Sequence, residues 1–62
     1  PVPIIKTGRA IRKVGLGEVL TVTADDPGAP GDLIDWCSAN RQEFLANENL
    51  SGISTTRIRR LR

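Results

Sequence analysis

A chain of 62 residues with one cysteine, no histidine and no methionine leaves room for one small domain and for little chemistry. The single thiol excludes an internal disulfide framework and a four-cysteine metal site, and without histidine there is no Cys-His or Ser-His-Asp constellation. Nine Lys and Arg against seven Asp and Glu give a net charge of +2, too small alone to argue for nucleic acid. Chemistry at a thiol, at carboxylates or at a basic surface remains.

The charges fall in blocks. Lys6, Arg9, Arg12 and Lys13 open the chain without an acid among them. Glu18, Asp25, Asp26, Asp32 and Asp35 follow without a base, and Arg57, Arg59, Arg60 and Arg62 close it. Such blocks read as solvated faces or as partner surfaces. No apolar run approaches the roughly 18 residues of a membrane span, and there is no signal-type apolar region, so a cytoplasmic location is expected. The sequence opens at Pro1 without an initiator Met, as a processed or trimmed end would.

In chain order, Pro3 to Val14 is predicted as a helix, since proline is tolerated in a first turn, where its missing N–H would be unpaired. Ile4, Thr7, Ile11 and Val14 recur at helical spacing as an apolar stripe, with Ile5 and Ala10 widening it. Lys6, Arg9 and Lys13 fall on another face, and Gly15 and Gly17 end the helix. Glu18 to Ala24 alternates as a strand with Leu20, Val22 and Ala24 on one side. Asp25-Asp26-Pro27-Gly28 is a turn. A second helix over Ala29 to Asn40 places Leu33, Trp36, Cys37 and Asn40 together. Glu43 to Ala46 is a short strand, Asn47 to Gly52 is turn-rich, and Thr55 to Leu61 is a strand of poor alternation. Ile58 and Leu61 are out of phase there, which a bulge or a frayed end would reconcile. The order helix, strand, helix, strand, strand is that of an α/β (α+β) two-layer sandwich.

These residues resemble the TusA-type (SirA-like) sulfur carriers and sulfurtransferases. Pro1-Val2-Pro3-Ile4-Ile5-Lys6-Thr7 looks like the family's Cys-Pro-x-Pro motif and the helix it opens, with the cysteine falling immediately before Pro1. Gly17-Glu18-Val19-Leu20 looks like the approach to its second strand. Asp26-Pro27-Gly28-Ala29 with Asp32-Leu33 and Trp36-Cys37 looks like its acidic loop and second helix, and Gln42-Glu43-Phe44-Leu45 like the strand after it. The resemblance covers residues 1–62 as a single domain. It implies the order β-α-β-α-β-β and a mixed sheet, of which this chain lacks the first strand, an edge strand. The final strand would be central and antiparallel to its neighbours, with Ile58 facing the helices and Arg57 and Arg59 wet. Arg60 stands where the family usually has an apolar residue.

The resemblance further implies persulfide chemistry: a cysteine accepts sulfane sulfur from a cysteine desulfurase or rhodanese-like donor and hands it to an acceptor protein. The acceptor would serve tRNA thiolation, cofactor assembly or sulfur metabolism. The motif residues in this chain are Pro1 and Pro3, and without the cysteine the 62 residues should be inactive. A thiol just before a helix start is acidified by unpaired N–H groups and the positive dipole end, so neither metal nor cofactor is expected, only the covalent sulfur. Lys6, Arg9 and Lys13 are candidates for docking acidic partner surfaces, against an ordinary wet face. Cys37 shares its helical face with Leu33 and Trp36, the pattern of an inert core thiol, with an auxiliary thiol as the other reading. Asp25 and Asp26 read as turn residues rather than a metal or acid-base pair. Asp32 reads as helix-end electrostatics or a partner contact. Two other functions stand beside the sulfur carrier: a protein-interaction module that has lost the thiol, and an RNA-binding domain. The second is not favoured, because Trp36 and Phe44 are the only aromatics and give no stacking platform.

Overall fold

The structure, a computed structural model, describes residues 2–62, so the expectation placed on Pro1 lies outside the described residues. The first helix, α1 (Val2–Ala10), tightens into a 3-10 turn over Ile11–Lys13 instead of running on to Val14 as α-helix. Gly17 then takes φ +83°, a left-handed conformation open to glycine and strained for other residues, and turns the chain into the sheet. Of the expected stripe, Thr7 and Ile11 are buried and Ile4 and Val14 half-buried. Ile5 does not widen it: at 57% exposure it faces solvent, because one short helix against a narrow sheet covers a narrow strip.

Strand β1 (Val19–Ala24) presents Leu20, Val22 and Ala24 inward, as its alternation implies. Helix α2 (Ala29–Asn40) begins after the acidic turn with Pro30 in its first turn and buries Ala29, Leu33 and Cys37, one per turn. Arg41 ends it in the left-handed region (φ 56°, ψ 42°), its N–H donating to the Cys37 carbonyl. Strands β2 (Glu43–Leu50) and β3 (Ile53–Arg59) form a hairpin closed by Ser51 and Gly52, both at positive φ, as a two-residue turn matching strand twist requires.

Both strands correct the sequence reading. Asn47, Glu48 and Asn49 are paired with Thr56, Thr55 and Ser54, so β2 runs well past Ala46 and only Ser51-Gly52 turns. Polar residues are tolerated in β2 because it is an edge strand with one wet face, and Asn47 accepts a hydrogen bond from Thr56 Oγ1 at 2.9 Å. Strand β3 starts two residues before Thr55 and ends at Arg59. Its alternation is regular, but it is carried inward by Ser54, Thr56 and Ile58, two hydroxyls and one aliphatic. The bulge lies in β2, between Phe44 and Ala46, and Leu61 falls beyond the end of β3, 55% exposed.

The sheet order is β1-β3-β2, with β3 central and antiparallel to both neighbours. Among the described residues the sheet is therefore antiparallel throughout, where the resemblance implied a mixed sheet with one strand more. The helices pack on one face, giving an α+β two-layer arrangement around Ile11, Leu33, Cys37 and Ile58, with Trp36 and Phe44 packed against that cluster. Leu33 and Ile58 are wholly buried, each worth about 1.5–3 kcal/mol relative to exposure. On the other face Arg57 and Arg59 are part-exposed and reach across to Glu48 and Glu43 at 3.3 Å, exposed cross-strand pairs of small energetic weight.

Candidate functional site

The N-terminal end of α1 opens onto a cleft of ≈ 410 Å³. Val2, Pro3 and Lys6 form one wall; the end of β1 (Val22, Thr23, Ala24) and the turn residues Asp25 and Asp26 form the other. The first turn of α1 is held from within. Thr7 is buried, and its hydroxyl donates to the Pro3 carbonyl oxygen at 2.7 Å, satisfying a polar group that would otherwise weaken the core. No acid lies in that first turn to cancel the positive helix end. The first N–H groups of α1, other than that missing from Pro3, have no partner within the helix.

The acidic turn is a structural device. Asp26 Oδ1 accepts from the Gly28 N–H at 2.9 Å and its carbonyl oxygen accepts from the Ala29 N–H at 3.0 Å, so the residue builds the start of α2. Asp32 sits in the first turn of α2, where an acid complements the dipole. Among the described residues no group of three or more acids and thiols is placed to hold a metal ion.

Lys6, Arg9 and Lys13 are all exposed, and none is in an ion pair among the described residues. Only Lys6 reaches the cleft; Arg9 and Lys13 lie further along α1 and its 3-10 extension. Cys37 is elsewhere. It is 2% exposed in the core cluster, away from the cleft walls, and burial pushes its thiol pKa up, the opposite of what a nucleophile needs. Trp36, expected in the core beside it, is only half-buried.

The far wall of the cleft was not legible as part of a site. Val22, Thr23 and Ala24 read only as strand residues, and nothing in their alternation says that β1 ends beside the start of α1. Pairing of β1 with β3 alone, together with the turn at Asp25-Asp26, creates that proximity.

The structure is thus a two-layer α+β domain in which the start of α1, at Val2 and Pro3, borders an open cleft. The sequence model described as "Sulfurtransferase TusA" matches residues 1–60, and the chain belongs to that family. Similar proteins include the "Putative sulfur carrier protein YrkF" of Bacillus subtilis, 38% identical over 48 residues, which are 77% of this chain and 26% of that protein. A relative from Neisseria meningitidis serogroup A with the same description is 36% identical over 55 residues, 89% of this chain and 74% of that protein. YrkI of Bacillus subtilis is 36% identical over 45 residues, 73% of this chain and 60% of that protein. The chain thus spans about a quarter of YrkF and about three quarters of the Neisseria relative. No solved structure gives a significant match.

Proposed function

We propose that these residues are the body of a sulfur carrier domain, completed by a cysteine immediately before Pro1 and a preceding edge strand. The supporting observation is the family match running from residue 1 onto α1, a helix whose start, at Val2 and Pro3, borders an open cleft. That cysteine's thiolate attacks the sulfane sulfur of a donor persulfide. A new S–S bond forms to the carrier, the donor S–S bond breaks, and the donor leaves as a thiolate. The exchange is a nucleophilic substitution with no net oxidation, and it repeats in the other direction of transfer when an acceptor thiolate attacks the carrier.

The chain's own residues bear on this chemistry through electrostatics and stiffness. The positive end of α1 and Lys6 favour an anionic sulfur, Asp25 across the cleft opposes it, and Asp26 is committed to the Gly28 amide. Pro3 fixes the backbone and the Thr7–Pro3 hydrogen bond holds the turn, so little motion is needed to present the sulfur. The carried sulfur is cargo, and the chemistry asks for no metal or other cofactor. The donor would be a cysteine desulfurase or rhodanese-like enzyme and the acceptor another protein of cytoplasmic sulfur transfer. No helix of the described residues is long and apolar enough to cross a membrane.

The thiolate absorbance of the chain with that cysteine restored tests the reading. The thiol should titrate below the usual range near 8.5, with Lys6→Gln raising its pKa and Asp25→Asn lowering it. A thiol that titrates at or above the ordinary value, indifferent to both substitutions, would remove the electrostatic basis for transfer.

A further inference from the structure

Two basic blocks at opposite ends of the sequence meet in the fold. Arg12, in the 3-10 turn after α1, lines a cleft of ≈ 300 Å³ with Arg60 and Arg62 from the end of the chain. Trp36, Asn40 and Gln42, from the last turn of α2 and just beyond, complete its walls, and none of the lining residues is acidic. Arg60 is fixed there: its Nη1 donates to the Val14 carbonyl oxygen at 2.6 Å and its Nε to the Arg62 carbonyl oxygen at 3.1 Å. Gln42 Nε2 donates to the same Arg62 oxygen at 3.2 Å. Arg12 and Arg62 are exposed and in no ion pair among the described residues, so their guanidinium groups keep their donors for a ligand.

We propose that this cleft docks an acidic peptide segment of a partner protein, with Asp or Glu carboxylates received by Arg12 and Arg62 and aliphatic stems packed on Trp36. Charge complementarity carries the assignment: the guanidinium groups of Arg12, Arg60 and Arg62 share a cleft with no acidic side chain in its lining, and the guanidinium fork matches a carboxylate with two parallel hydrogen bonds. The size fits one or two side chains. A nucleic-acid strand would need a longer basic track and successive stacking surfaces, and Trp36 is alone. The cleft also lies along α1 from Val2 and Pro3, about 13 Å away at the helical rise per residue. The binding itself does not depend on sulfur chemistry, so its failure and that of the sulfur-carrier reading are distinguishable.

Trp36 is the only tryptophan and lines this cleft, so its fluorescence responds to occupancy there. Titration with a hexaglutamate peptide should change the emission saturably, and added salt should weaken the binding. Arg12→Gln with Arg62→Gln should raise the apparent Kd roughly fivefold, the loss of two part-exposed ion pairs. Neither side chain makes a hydrogen bond within the described residues, so the double variant should keep the wild-type circular dichroism spectrum. Arg9→Gln with Lys13→Gln should leave the Kd within about twofold, the scale of a mere net-charge effect. Absence of a saturable response would overturn the proposal. So would an equal loss in the Arg9 and Lys13 variant, or tighter binding of a uridine oligonucleotide through the same two arginines.

Discussion

Arg60 Nη1 lies 2.6 Å from the Val14 carbonyl oxygen, and this contact ties the end of the central strand to the end of the first helical segment. The backbone reinforces it: Arg60 N–H donates to the Glu18 carbonyl oxygen at 2.9 Å and Gly17 N–H to the Arg60 carbonyl oxygen at 2.7 Å. Arg60 thus caps carbonyls at the end of the 3-10 turn, those of Arg12 and Val14. Arg60→Ala should lower unfolding stability by about 1–2 kcal/mol, the worth of a charge-assisted hydrogen bond and its packing. Urea unfolding checks this, with Arg57→Ala on the wet face expected to lose less than about 1 kcal/mol.

Burial of Cys37 gives two linked expectations. Iodoacetamide should label it only as fast as the protein opens, and urea should raise the rate steeply. Because folding raises the thiol pKa, stability is full below the ordinary thiol value and is lost as pH rises from there through the raised value. The urea midpoint should therefore fall more between neutral and alkaline pH in the wild type than in Cys37→Ala. Equal falls would mean that the thiol ionises as freely folded as unfolded.

Arg41 occupies the left-handed cap of α2 that glycine fills most readily. Its side chain is exposed and in no ion pair among the described residues. Arg41→Gly should stabilise the fold by up to about 1 kcal/mol, whereas Arg41→Val should destabilise it by about 1 kcal/mol. Thermal unfolding midpoints that move in opposite directions would show it.

Helical elements were legible where apolar spacing carried the burial. Leu33 and Cys37 declared α2, and Thr7 with Ile11 declared the buried strip of α1. The hairpin was less legible because hydroxyls do the inward work of aliphatics. Ser54 Oγ donates to the Ala24 carbonyl oxygen and Thr56 Oγ1 to Asn47, so polar residues sit in the core with their hydrogen bonds satisfied and disguise the alternation. The motif start of α1 could be read from Pro3, but the cleft beside it depends on the tertiary placement of β1. The convergence of Arg12 with Arg60 and Arg62 is likewise a product of topology, since β3 runs back beside the segment leading from α1 into β1.

Sulfur carriage is tested most directly by intact mass. The chain with a cysteine joined ahead of Pro1 is incubated with a cysteine desulfurase and free cysteine, then weighed before and after reduction. A sulfur carrier gains the mass of one sulfur atom, loses it on reduction, keeps the gain in Cys37→Ala and shows none when the added cysteine is replaced by serine. No gain, or a gain that survives the serine replacement and disappears with Cys37→Ala, would contradict sulfur transfer at the start of α1.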